Sequence, residues 1–267
     1  MTVVYRYAGP DGEAIPALPA GCGAAIGSEY CAHLLPGASR DRGSPLILLT
    51  PYLRDAELKR ALPLFRTIPD GADVTVAVND WGALLALRLL FPRLDLSIGR
   101  LLSGQKRCPR IGVSGRLTPE GRRWHGLGLF SSRRAVAHLR DAFSVTGYHV
   151  DRLDWGPDPA AGADGAAAGG APAGGQDGEG AQRIYVHGPP AIVTVSDACP
   201  WIGGLSSSAV PSCARSCRDG MVMLEEPSMG AGMLQRGKAR FAAGGASPEV
   251  RPGGDGGPRI VLYDAAP

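Results

Sequence analysis

Three cysteines in the second half of the chain carry the clearest chemical signal. Cys199, Cys213 and Cys217 form a C-x13-C-x3-C set within AIVTVSDACPWIGGLSSSAVPSCARSCRD. The β-branched run AIVTV delivers the first thiol to a strand end, and a Gly/Ser-rich loop brings back two more about one helical turn apart. That arrangement can set three soft donors around one point, and thiolates there suit zinc or an iron–sulfur cluster. A closed site of either kind normally takes four protein ligands. The fourth must come from upstream, where Cys22 and Cys31 are the candidates, and Cys31 at the end of IGSEYC is the expected one. Zinc knuckles favour C-x2-C or C-x4-C pairs, which this chain lacks, so iron–sulfur is expected ahead of zinc. Cys108 has no partner at ligand spacing and is expected to be a free thiol.

A second constellation is cationic. The apolar run LDLSIGRLL leads into SGQKRCPRIG, so that Arg100, Lys106, Arg107 and Arg110 crowd one loop. Ligands of parallel α/β sheets bind beyond the C-terminal strand ends, and guanidinium groups hold carboxylates by charge-assisted hydrogen bonds. The loop is therefore expected to dock an anionic substrate, unless it is an ordinary solvated surface. Asn79 and Asp80 end the preceding apolar run, DVTVAVND. Asp80 can accept the first N–H groups of the following helix or join Asn79 in the site. There is no G-x-S-x-G elbow, no H-E-x-x-H and no credible Ser/His/Asp or Cys/His set, so peptidase chemistry is disfavoured. His125 has no companion ligand at metal spacing and reads as an ordinary polar residue.

Positioning these residues requires a β/α frame, and the chain supplies one from Pro45 onward. PLILLTPY, DAELKRALPLFRTI, DVTVAVND and WGALLALRLLF alternate short apolar runs with helical spacing. This is a βαβα pattern with parallel pairing. Pro63 should kink or shorten the first helix, because it removes a backbone donor and crowds the preceding turn. GVSGRLTPEGRRWHGLGLF reads as a loop partly covering a site. Ser131 or Ser132 should cap a helix over RRAVAHLRDAFSV, with Gly147 stopping it, and YHVDRLDW is a further strand. In residues 1–25 only Thr2 to Tyr7 has strand character.

The expected fold class is therefore α/β, a barrel-like parallel β/α domain followed by a loop-rich, cysteine-bearing C-terminal region. Residues 1–155 form the N-terminal β/α part and residues 183–267 carry the cysteine cluster. Between them, residues 156–182 hold almost no large apolar side chain and are expected to be a disordered Ala/Gly linker. A hydrophobic content of 44% is ample for a core at 267 residues. The net charge of +3 argues against a dedicated nucleic-acid or membrane-surface protein. The start MTVVYRYAGPDGE lacks the basic and apolar regions of a secretory signal, and no run reaches a membrane span, so a cytoplasmic location is expected. In that reducing compartment the cysteines are more plausible as ligands or buried thiols than as disulfides.

Three stretches together resemble the collagenase-like peptidase family U-32, and more closely its iron–sulfur branch of the UbiV type. They are VTVAVNDWGALLALRLLFPRLDLSIGRLLSGQKRCPRI, PPAIVTVSDACPWIG and the paired cysteines of CARSC. Val78, Asn79 and Asp80, then Gly99 and Arg100, then Cys199 and Pro200 occupy positions similar to the family's strand-end motifs. In that branch an early cysteine after a short strand joins three late cysteines spaced C-x12-C-x3-C to hold a [4Fe–4S] cluster. IGSEYC is similar at Cys31, and the late spacing here is one residue longer. The strand and helix expected ahead of IGSEYC are missing or degraded, so the resemblance implies an incomplete or distorted TIM-type barrel.

It implies a [4Fe–4S] protein held by Cys31, Cys199, Cys213 and Cys217. Such a protein acts with a homologous partner subunit in oxygen-independent hydroxylation of a quinone precursor or related aromatic, as in ubiquinone biosynthesis. A carboxylate hydroxyl donor is implied, which Arg100, Lys106, Arg107 and Arg110 could bind. A sister branch modifies transfer RNA, which makes RNA a further substrate class, less favoured by the modest charge. The alternatives are a structural zinc protein and a metal-free α/β binding module.

Overall fold

The computed structural model describes residues 4–7, 22–36, 46–156, 183–206, 209–210, 212–218, 222–225, 227–229, 232–242 and 259–262. The linker expected over 156–182 lies, apart from Gly156, outside the described residues. Seven strands appear in chain order: β1 (Val4–Tyr7), β2 (Cys22–Gly27), β3 (Leu46–Leu49), β4 (Val74–Val78), β5 (Asp95–Ile98), β6 (Val145–Asp151) and β7 (Arg183–His187). An eighth, β14 (Arg259–Leu262), closes the ring by pairing with both β7 and β1. All neighbours in this closed barrel are parallel. The barrel-like parallel fold is thus present, and its ring is complete.

Two segments depart from the sequence reading. Residues 1–25 promised one short strand, yet they supply both β1 and β2. The second, CGAAIG, has little intrinsic β-propensity. Its small side chains suit a barrel whose interior is filled from other strands by Tyr5 and Tyr185, whose ring centroids lie 6.0 Å apart. Gly147 was expected to stop a helix, but it lies within β6, where a Cβ would come 2.7 Å from Tyr185 Cε2 and 2.8 Å from the Arg183 carbonyl. Its lack of a side chain makes room for that tyrosine.

Side chains alternate across the barrel wall, as the two-residue period of a strand requires. Ala25, Ile47, Leu49 and Ala77 face the interior with the two tyrosines. Their neighbours Ile26, Leu48, Val76 and Ile98 face outward and join the helix residues Phe65 and Leu84 in the main core. Three helices supply that outer layer: α1 (Asp55–Arg66), α2 (Trp81–Leu90) and, after the short α3 (Arg110–Val113) and α4 (Pro119–Gly126), α5 (Arg133–Phe143). Regular β/α alternation is therefore confined to the β3–β6 side among the described residues. No helix among them is long and apolar enough to cross a membrane.

Helix boundaries follow local chemistry. Asp80 caps α2 by accepting the Ala83 N–H at 2.7 Å, and Ser132 caps α5 through Ala135 at 3.3 Å. Pro63 does not shorten α1, which runs on to Arg66. Pro63 is on the exposed face, where water can serve the carbonyl that loses its donor. The stretch read as a loop holds α4, announced by Thr118 as N-cap, with Oγ1 accepting from Gly121 N at 3.0 Å, and by Pro119 at the first helical position.

Between β7 and β14 the described residues build a second sheet and no α-helix. It contains β8 (Ala191–Val195), β11 (Val222–Leu224), β12 (Met233–Arg236) and β13 (Ala239–Ala242), in the antiparallel order β11-β12-β13-β8. A small hairpin, β9 (Ala198–Cys199) with β10 (Leu205–Ser206), branches from it. Because this excursion leaves from the end of β7, it sits on the C-terminal side of the barrel.

Candidate functional site

The C-terminal strand ends collect buried polar side chains. Glu29 follows β2, Thr50 follows β3, Asn79 follows β4, Arg100 follows β5, and Asp151 and His187 end β6 and β7. Arg100 is 1% exposed and sits at their centre. Its Nε donates to Glu29 Oε2 at 2.9 Å, its Nη2 donates to the same oxygen, and its Nη1 donates to Asp151 Oδ1 at 2.7 Å. Arg107 Nη1 donates to the other Asp151 oxygen at 3.1 Å. Two guanidinium groups and two carboxylates thus form a buried ion-pair network with balanced charge.

The loop around this network is held by amides. Asn79 Nδ2 donates to the Thr50 carbonyl at 2.7 Å, while its Oδ1 accepts the Leu101 N–H at 2.8 Å. Gly99 leaves room for that carboxamide, because a Cβ there would lie 2.3 Å from Asn79 Oδ1. Gln105 accepts the Asp151 N–H at 2.7 Å and donates to the Asp151 carbonyl at 3.2 Å.

The sequence placed four cations on one anion-binding loop, and the structure divides them. Arg100 and Arg107 turn inward and are neutralised by Glu29 and Asp151. Lys106 and Arg110 remain exposed, the latter donating through Nε to Cys108 Sγ at 3.3 Å. Neither Glu29 nor Asp151 was singled out in the sequence. A desolvated arginine needs such partners, yet they lie 71 and 51 positions away in the chain. Asp80 is engaged as a helix cap, and Asn79 positions the loop.

Below the rim, β5, β6 and β7 line up a polar chain that sequence reading missed. Ser97 Oγ lies 3.0 Å from His149 Nε2, and His149 Nδ1 lies 2.8 Å from His187 Nε2. The His149 ring stacks on Tyr185 with centroids 4.3 Å apart. Burial pushes His149 down to about 3, with Arg100 and Arg183 adding to the effect against Glu29. His187 is also pushed well down, by burial and then by Arg100. Both imidazoles are therefore neutral. The available signal was the two-residue alternation of YHVD and IYVH, which places His149, Asp151, Tyr185 and His187 on one strand face.

The cysteines occupy a separate lobe on the same side of the barrel. Cys31, Cys199 and Cys217 are buried and Cys213 is half-buried. Cys31 follows β2 from a tight turn in which Ser28 Oγ accepts its N–H at 3.2 Å. Cys199 ends β9, and the Arg215 N–H donates to Cys213 Sγ at 3.4 Å, with Arg215 at φ 58°. Cys31 and Cys217 share an apolar cluster with Tyr30, Leu34, Ile192 and Phe241.

Electrostatics tie the four thiols together. Burial pushes Cys217 up to about 11, and Cys31, Cys199 and Cys213 raise it further as neighbours. Burial likewise raises Cys31, with contributions from Cys199 and Cys213; the His33 backbone N–H and Lys238 oppose the rise. Among the described residues, no three His, Cys, Asp or Glu side chains converge tightly enough to hold a single metal ion. Cys22 begins β2 at the opposite end of the barrel, and Cys108 sits against Arg110.

The four thiols of this lobe are soft donors of the kind that iron or zinc takes. Four soft donors lie within electrostatic reach of one another, and Arg236 and Lys238 offset negative charge at Cys217 and Cys31. Backbone N–H groups two residues downstream reach the sulfurs of Cys31 and Cys213. Such contacts favour thiolate and help set a cluster's potential. Comparison with protein-family models, with curated proteins and with solved structures gave no match to this chain.

Proposed function

We propose that the chain is an iron–sulfur protein in which Cys31, Cys199, Cys213 and Cys217 hold a [4Fe–4S] cluster at the C-terminal side of the barrel. The observation that carries this reading is the gathering of these four thiols from separate parts of the chain, while Cys22 and Cys108 lie elsewhere. Left metal-free, Cys31 and Cys217 stay largely protonated, because burial and the neighbouring thiols raise both. Loading with iron releases those protons and relieves the conflict.

The cluster would supply one-electron and radical chemistry beyond the reach of side chains. Following the resemblance, the proposed activity is oxygen-independent hydroxylation of a quinone precursor or related aromatic, carried out with a homologous partner subunit. The outward face of α2 offers Trp81, Leu85 and Leu89, each about half exposed or more, at the four-residue spacing of one helical stripe. That stripe is the surface we assign to the partner. The chain's own rim residues hold the loops beside the cluster in place, with Arg100 tying β2, β5 and β6 together.

Purification without oxygen tests the cluster. The protein is expected to be brown and to contain about four irons per chain. Replacing Cys31, Cys199, Cys213 or Cys217 by Ala should remove most of that iron, whereas Cys22→Ala and Cys108→Ala should retain it. Colourless protein carrying stoichiometric zinc would overturn the assignment.

A further inference from the structure

A cavity of about 510 Å³ opens at the end of β6, and no cysteine is among its lining residues. Arg152, Leu153 and Trp155 form one side, α3 and α4 contribute Val113 and Arg122, and Ala191 and Ala242 close it from the second sheet. We propose that this cavity binds a small organic anion, an oxyanion head on a flat apolar body. The proposal is independent of the metal reading and would stand if the thiols held nothing.

Charge is the first argument. Arg100 and Arg107 are neutralised by carboxylates, but Arg152 is half-buried and makes no side-chain hydrogen bond or ion pair among the described residues. Its backbone is fixed, since its N–H donates to the His187 carbonyl at 3.1 Å. Arg122 adds a second guanidinium, which donates through Nη1 to the Gly112 carbonyl at 2.9 Å. Asp154 is the acid in the lining, and it is exposed and pairs with neither arginine. The wall therefore carries more positive than negative charge, and a cation would be repelled.

Unmatched donors are the second argument. Among the described residues, Trp155 Nε1 and Arg122 Nε are both buried N–H groups without an acceptor. A buried donor left unsatisfied is costly, and both belong to residues that line the cavity, so a small side-chain shift that brings either to a ligand's acceptor would relieve an existing deficit. The indole is packed on Gly112, where a Cβ would come 2.8 Å from its Cε3. Leu153, Val113 and the two alanines make the remaining wall apolar. Inorganic phosphate alone would leave those apolar surfaces unfilled, and a neutral hydrocarbon would leave the donors unmatched. An anion with an apolar body satisfies both, and a guanidinium accepts carboxylate and phosphate alike. The volume falls within the range of small-molecule sites.

Calorimetric titration of the full chain with benzoate, phenyl phosphate, inorganic phosphate and benzyl alcohol tests the site. Benzoate and phenyl phosphate should bind at least tenfold more tightly than inorganic phosphate and benzyl alcohol, and their ranking identifies the preferred head group. Arg152→Met should weaken both aromatic anions at least tenfold without changing benzyl alcohol, and Arg110→Met on the exposed loop should bind as the parent does. Benzyl alcohol binding as well as benzoate would overturn the proposal, as would undiminished anion binding by Arg152→Met or no binding of either aromatic anion. If Arg152→Met fails to fold, the four titrations of the parent chain decide by themselves.

Discussion

The rim network and the cysteine lobe lie on the same side of one barrel, both largely buried, and they handle charge in opposite ways. Glu29 and Asp151 meet Arg100 and Arg107, so the desolvation of each ion is offset by a partner of opposite sign and by directed hydrogen bonds. Burial and the neighbouring thiols raise the proton affinity of Cys31 and Cys217, opposed by the His33 backbone N–H and Lys238 at the first and by Arg236 at the second. The first arrangement is balanced in charge and serves the fold, although Arg107 Nε finds no acceptor among the described residues. The second is short of positive charge once ionised, which is the condition a cationic cluster would meet.

The largest effect should come from unbalancing the rim. Arg100→Met leaves Glu29 and Asp151 buried without their main partner, and it should lower stability by about 3–5 kcal/mol, measured by urea unfolding of the metal-free protein. A loss under about 1 kcal/mol would mean that solvent already reaches the network and that the contrast with the thiols is weaker than drawn.

Acid should act next, through the neutral imidazoles below the rim. His149 takes up a proton near its ordinary value of 6.5 when unfolded but only near about 3 when folded. The unfolded state therefore binds more protons between those values, and stability falls as pH falls through that window. Between pH 7 and 5 this residue alone should cost about 2 kcal/mol, to be read from unfolding curves at the two pH values. A flat profile would show an imidazole charging inside the folded barrel.

Gly99→Ala probes the scaffold that presents Arg100. Its methyl would displace the Asn79 carboxamide, breaking hydrogen bonds to Thr50 and Leu101. The expected loss is about 1–3 kcal/mol, with iron content per folded chain unchanged. Cys213→Ser sharpens the opposite side of the comparison: because this thiol is only half-buried, in metal-free protein it should change stability by less than about 1 kcal/mol, although it abolishes iron loading. Lys106→Ala should have the smallest effect, within about 0.5 kcal/mol, because this side chain, like Arg110, stays at the solvated surface of the cationic loop.

Several elements were legible because their signals are local. The alternation of apolar runs with helical spacing located β3, α1, β4 and α2, and Asp80 and Ser132 are caps at the boundaries their positions indicated. The helix α4 carried an equally local signal, Thr118 followed by Pro119, that was outweighed by the surrounding glycines. By contrast, β2 was not readable. Its glycines and alanines fit because the tyrosines inside the barrel need space, and those tyrosines come from other strands.

The sequence by itself determined the β/α period, the presence of soft donors and their C-x13-C-x3-C spacing, because each depends on residue type and short separation along the chain. Whether an arginine is a solvated anion trap or half of a buried ion pair depends on what closes around it. Only the closed ring could bring Arg100 to Glu29 and Asp151 and set His149 against His187, while Arg152 meets no carboxylate among the described residues. The physical reason is that charge balance and desolvation are properties of neighbours in space, and parallel strands place such neighbours tens of residues apart in the chain.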